Sequence, residues 1–221
     1  MSINGAFKWL YNIGNWLAKV MYLHLLWVLF TVLGLVVFGF MPATTAMFSV
    51  IRKWVEEDLD IPIFQNFYKT YKTHFLKSNI IGVIIIGIGL FLYFDIKISK
   101  QAIQSMPLHS ILLLLSFFYF IMLLYLFPVF VRYNLKSVLY FKQSFFLALA
   151  RPLETIAMII SLVILYYLFS FLPVLLVFAG APLIAYPLMW FAYRAFMQIE
   201  KKKLTHKSAF SKRRTKRAEF F

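Results

Sequence analysis

From Val20 to Phe40 the chain runs 21 residues without a formal charge, about the length a helix needs to cross ~30 Å of hydrocarbon. Inside a bilayer every backbone amide of such a run must be bonded within its own segment, and a helix is the form that does this. The run breaks at Gly39-Phe40-Met41-Pro42 and resumes as an amphipathic stretch ending in Arg52-Lys53-Trp54. The whole chain shares this bias, with 62% hydrophobic and only 14% charged residues. Soluble domains are nearer half apolar and a quarter charged, so the surplus has to face lipid. The expected fold is therefore all-α, a polytopic membrane helix bundle. Lys8 and Lys19 precede the run as in a signal peptide, yet it exceeds the roughly 7 to 15 residues of a signal core and no A-x-A site follows it. It reads as a retained span.

Four further spans are expected. Before the first span (20–40), Asn4, Lys8, Asn12, Asn15 and Lys19 form a polar stripe opposite Phe7, Leu10, Gly14 and Leu17, the pattern of an N-terminal interfacial helix. The second span covers 79–94 and carries Gly82 and Gly89 one heptad apart, candidate positions for close helix packing. The third covers 108–131. The last apolar region, Thr155 to Met197, is 43 residues with Arg194 as its one base and no acid. One helix of that length would be about 64 Å long, twice the hydrocarbon thickness. A hinge among Pro173, Gly180 and Pro182 is expected, giving spans at 155–174 and 182–198. Residues 1–200 form one membrane domain, and 201–221 reads as a basic, disordered tail.

Charge sets the expected orientation. Of 23 Lys and Arg, five spans with an external amino terminus put 18 in the cytoplasm and 4 outside, with Arg194 at the inner boundary. Four spans with both ends inside give 13 and 9, so the positive-inside rule favours five. The chain is then expected in a bacterial cell membrane with the C-terminus cytoplasmic. The tail bases at 201–217 would meet anionic lipid, worth up to ~1 kcal/mol each; nucleic acid is not an expected partner.

The insert 41–78 is expected as a cytoplasmic amphipathic helix pair. Ala46, Met47, Val50, Ile51 and Trp54 share one face against Ser49, Arg52, Lys53 and Glu56, with Pro42 in the first turn and Thr44 or Thr45 as cap. A second helix over about 61–77 sets Ile63, Phe64, Phe67, Tyr68, Tyr71 and Phe75 against Lys69, Lys72, Thr73 and Lys77. Such a pair either lies on the inner leaflet or docks a partner. Glu56, Glu57, Asp58 and Asp60, half of the eight acids, gain nothing from an anionic membrane and favour a partner. The candidate interface is Pro42, Thr44, Arg52, Lys53, Trp54, Phe64, Phe67 and Tyr71.

Reaction chemistry finds no foothold. The chain has no cysteine, His24, His74, His109 and His206 make no i, i+4 pair, and no phosphate-loop, dinucleotide or nucleophile-elbow motif occurs. Glu154 is the sole acid between Asp95 and Glu200. No catalytic residue, cofactor or metal is expected, and the shortage of intramembrane charges speaks against an ion-coupled pump. His24 reads as a core or interfacial residue, Arg194 as a snorkelling base, and Tyr125, Tyr166, Tyr167 and Tyr186 as packing or interfacial rings.

The run from Leu26-Trp27 through Gly39-Phe40-Met41-Pro42-Ala43-Thr44 to Val50-Ile51-Arg52-Lys53-Trp54 resembles the signature of the YesL-like proteins, bacterial integral membrane proteins classed as a domain of unknown function. Phe67, Phe75 and Asn79 leading into Gly82, Phe127-Pro128, Arg151-Pro152 and Ala185-Tyr186 extend the resemblance over about residues 5 to 200. Genes of this family often lie beside carbohydrate-uptake ABC transporter components and glycan-degrading enzymes. The resemblance therefore implies an accessory subunit touching the permease or ATPase of an oligosaccharide importer. A small self-contained sugar transporter or channel is the other expectation.

Overall fold

The computed structural model describes residues 3–100 and 106–218. Among them are seven helices and no strand: α1 (Ile3–Leu33), α2 (Val37–Val55), α3 (Ile63–Ile98), α4 (Met106–Arg132), α5 (Ser137–Ala150), α6 (Pro152–Phe171) and α7 (Pro173–Ala218). Five segments are long and apolar enough to cross a membrane: Tyr11–Leu33, Ile63–Ile98, Met106–Arg132, Pro152–Phe171 and Pro173–Lys201. The chain is an all-α, multi-pass membrane bundle.

The first break lies earlier than expected, at Gly34-Leu35-Val36 rather than at 39–42. The Gly34 N–H bonds Phe30 O, the Val36 N–H reaches back to Thr31 O, and Leu35 takes φ 59°. This is a Schellman-type stop with leucine where glycine is usual. Val36 follows at φ 61°, costly for a β-branched residue. What makes the turn tight is the pair Gly34 and Gly39. A Cβ on Gly34 would lie 2.3 Å from Gly39 Cα, and one on Gly39 would lie 2.3 Å from Thr31 O. Pro42 sits inside α2 and removes the amide that would bond Phe38 O. The Thr44 and Thr45 hydroxyls are not N-caps; they bond the carbonyls of Phe40 and Met41 at 2.7 and 3.0 Å.

Because α2 folds back on α1, the hairpin's two ends share one end of the bundle, where Lys19 Nζ meets Leu59 O at 2.9 Å and Asp60 Oδ1 at 3.1 Å. Lys19, which precedes the first expected span, is thus beside the 41–78 insert that was expected to follow it on the other side. Nor is 41–55 a platform outside the bundle. It belongs to α2, which packs against α1, α3, α4 and α7. Eleven of its 19 residues are buried, Ala43, Ala46, Val50 and Ile51 completely.

Two expected boundaries disappear. The separate interfacial helix over 3–19 is the first half of α1, and the helix over 61–77 is continuous with the second span as α3. No proline or glycine interrupts Ile63–Ile81, and Ser78 and Asn79 satisfy themselves on Thr45 and on Phe75 O at 3.0 and 2.9 Å. The last two spans divide at Leu172, which takes the extended backbone (φ −125°, ψ 74°) that a following proline enforces. Pro182 and Gly180 lie within α7, so nothing shallow or re-entrant separates α6 from α7. Beyond Lys201, α7 continues as helix to Ala218 where a disordered tail was expected; no proline or glycine stops it. α5, between Arg132 and Arg151, was not foreseen.

Candidate functional site

Three segments meet at one end of the bundle through charge. Arg52 Nε contacts Glu56 Oε1 at 3.1 Å, one helical turn away, and its Nη1 donates to Val131 O at the end of α4. Arg132 closes the network, with Nη1 3.7 Å from Glu56 Oε1 and Nη2 2.8 Å from Glu200 Oε1. The Arg132 guanidinium also lies over the Phe196 and Tyr193 rings, 5.1 and 5.6 Å from their centroids. Two carboxylates thus hold two guanidiniums from α2, α4 and α7. Nearby, Arg151 Nη1 donates to Gln198 Oε1 and ties the start of α6 to the same stretch of α7.

The candidate interface residues mostly serve this interior. Trp54 and Phe67 are buried, as are Pro42 and Thr44. Lys53 Nζ donates to Asn66 Oδ1 at 2.6 Å. Thr44 Oγ1 accepts from Trp27 Nε1 at 3.1 Å, and the Tyr71 hydroxyl bonds Phe30 O at 3.1 Å, bracing the α1–α2 turn. Phe30 stands among Phe64, Phe67, Tyr68 and Tyr71, so the aromatic stripe of α3 grips α1. Of the eight, Phe64 alone is more than a third exposed among large apolar side chains. Gly82 and Gly89 do admit close approach, but to different neighbours, Met41 of α2 and the Tyr119 hydroxyl of α4.

Sequence reading missed Arg132, Glu200 and Thr155. Thr155 is buried, bonding the Tyr125 hydroxyl at 3.1 Å and donating to Ala148 O at 3.0 Å and Arg151 O at 2.9 Å. Arg132 and Glu200 are 68 residues apart, and only the fold brings them together. Away from this end, α1, α2, α4 and α7 enclose an apolar cleft of about 600 Å3 lined by His24, Trp27, Thr44, Phe48, Phe127 and Ala185 among others. No group of three or more His, Cys, Asp or Glu able to hold a metal occurs among the described residues.

Residues 20–96 match the family model described as "Protein of unknown function, DUF624". The chain is similar to three proteins of Bacillus subtilis (strain 168). It is 34% identical to "Uncharacterized protein YteU" over 203 residues, 90% of each chain. To "Uncharacterized protein YesL" it is 35% identical over 195 residues, 88% of this chain and 93% of that one. To "Uncharacterized protein YesV" it is 40% identical over 184 residues, 82% of this chain and 88% of that one. No solved structure matches. With 82–90% of its length matched by relatives 34–40% identical, the chain belongs to the YesL-like family of multi-pass membrane proteins of unknown function.

Proposed function

We propose that the chain is a non-enzymatic accessory or regulatory membrane subunit associated with an ABC-type carbohydrate importer, lying in the bacterial cell membrane. The observation that carries this reading is how little the chain covers two of its own spans. Of the 20 residues of α6 only Thr155 and Met158 are buried. Past Gly82, α3 runs about 24 Å on to Ile98, exposing Val83, Ile86, Phe91 and Tyr93. Such faces suit lipid or the spans of another membrane protein, and the family's gene neighbourhoods supply the importer as the partner. Among the described residues, the buried polar side chains are one histidine and scattered hydroxyls, a poor path for a polyhydroxylated solute. The contact surface therefore moves from the 41–78 insert to α6 and the outer half of α3.

A tagged chain captured in mild detergent recovers permease subunits, and bulky substitutions at Val163 and Tyr167 on α6 reduce that recovery. Sugar uptake by vesicles containing this chain alone, with no permease recovered, would replace the accessory reading with the self-contained transporter.

The ion network gathers the 56–62 and 132–136 connections and the Gln198–Lys201 stretch at one end of the bundle, and the hairpin brings the Lys8 and Lys19 end of α1 there too. Among the described residues, Lys97 and Lys100 are the bases that belong to the other end. We place the network's end in the cytoplasm, with both termini inside. The chain lacks cysteine, so single Lys8→Cys, Asp58→Cys and Lys100→Cys variants report directly. An impermeant maleimide added to intact cells labels the third alone, and labelling of the first refutes this orientation.

A further inference from the structure

The cleft between the hairpin and α4 and α7 carries one polar group without a partner. The His24 side chain is 7% exposed, and its Nδ1 has no hydrogen-bond partner. A neutral imidazole carries one bare nitrogen, an acceptor, and Nδ1, the atom without a partner, is the one open to a donor. His24 stacks on Trp27, with centroids 5.8 Å apart and planes at 23°. The polar groups beside it are engaged with one another, since Trp27 Nε1 donates to Thr44 Oγ1 and Thr44 Oγ1 donates to Phe40 O. A buried acceptor left unmatched costs about 1–3 kcal/mol, so a group that supplies a donor there gains that much over one that does not.

The walls fix the rest of the ligand. Phe40, Leu176 and Val177 at the rim are 42%, 48% and 67% exposed, so the opening is apolar. It lies between membrane-spanning segments and faces hydrocarbon. A cavity of about 600 Å3 is the size of a small-molecule site. No cationic side chain lines the cleft, which excludes an anionic headgroup.

We propose that this cleft binds a lipid alcohol, its apolar chain between α2 and α7 and its hydroxyl donating to His24 Nδ1. The site stands independently of the importer reading. Diacylglycerol and a long-chain polyprenol share this chemistry, and separate titrations distinguish them.

The test uses the full chain in nanodiscs of zwitterionic lipid, titrated with dioleoylglycerol, with a polyprenol and with the methyl ether of each, bound lipid being read by native mass spectrometry. At least one alcohol binds about tenfold more tightly than its ether. His24→Phe erases that preference while leaving residual binding of both members of the pair. Equal binding of alcohol and ether by the unaltered chain, or the same preference retained in His24→Phe, overturns the proposal. Ile184→Trp, which fills the cleft from α7 and leaves the histidine in place, provides a second reading. Loss of both alcohol and ether supports the site, and undiminished alcohol preference in that variant overturns it.

Discussion

Replacing Gly39 with alanine tests the hairpin at its tightest point. The added methyl would lie 2.3 Å from Thr31 O, 2.8 Å from Phe30 O and 2.9 Å from Gly34 Cα. All three are backbone atoms, so no flexible side chain can swing aside. Phe30 O also accepts the Gly34 amide and the Tyr71 hydroxyl, both at 3.1 Å, and displacing it loosens the α1–α2 turn and its brace on α3. Forcing a methyl into a packed site costs up to about 3 kcal/mol, and the better helix propensity of alanine returns about 1 kcal/mol. The net loss is about 2 kcal/mol, or ~4–8 °C in melting temperature for a chain of this length. Gly87 is the control, because a Cβ there meets nothing within 4 Å and Gly87→Ala gains about 0.5–1 kcal/mol. Thermal unfolding in detergent, followed by tryptophan fluorescence, compares the two. Equal melting temperatures for Gly39→Ala and Gly87→Ala would refute the close backbone packing.

Trp54→Phe keeps a ring in the core and removes an indole N–H that has no partner, so stability changes by less than about 1 kcal/mol; Trp54→Ala costs about 3–5 kcal/mol in the same denaturation assay. Glu56→Gln and Glu200→Gln each cost on the order of 1 kcal/mol as partly exposed ion-pair partners. Because both carboxylates act on Arg132, the double variant departs from additivity by about 0.5 kcal/mol or more, and strict additivity contradicts the shared network. Tyr125→Phe costs about 1 kcal/mol, since Thr155 keeps two carbonyl acceptors. Thr155→Val costs more, up to about 3 kcal/mol, because the fully buried Tyr125 hydroxyl then loses its partner; the reverse order of the two midpoints would reject that arrangement.

The membrane and the helices were legible residue by residue. Val20–Leu33, Asn79–Phe94 and Leu108–Val131 are apolar because each belongs to a membrane-spanning segment, and the fold-back after Thr155 followed from length alone. The candidate interface was legible only as a pattern. The apolar face Ala46, Met47, Val50, Ile51 and Trp54 is real, yet what it meets is α1, α3, α4 and α7 rather than a leaflet or another protein. Periodicity says that a face is buried and is silent on what buries it.

The deepest difference concerns α2. Its threonines, proline and Arg52-Lys53 keep it out of the five segments that composition marks as spans, and the expected platform over 41–78 rested on that polarity. Surrounded by other helices, α2 escapes the requirement for apolarity that lipid imposes on an exposed span. Composition by itself determined the solvent, the helical class and the segments that must face hydrocarbon, because those depend on each segment's own transfer from water. The tertiary structure decided the hairpin, the joining of Arg52, Glu56, Arg132 and Glu200, and the exposed faces of α3 and α6, because each depends on which segments become neighbours.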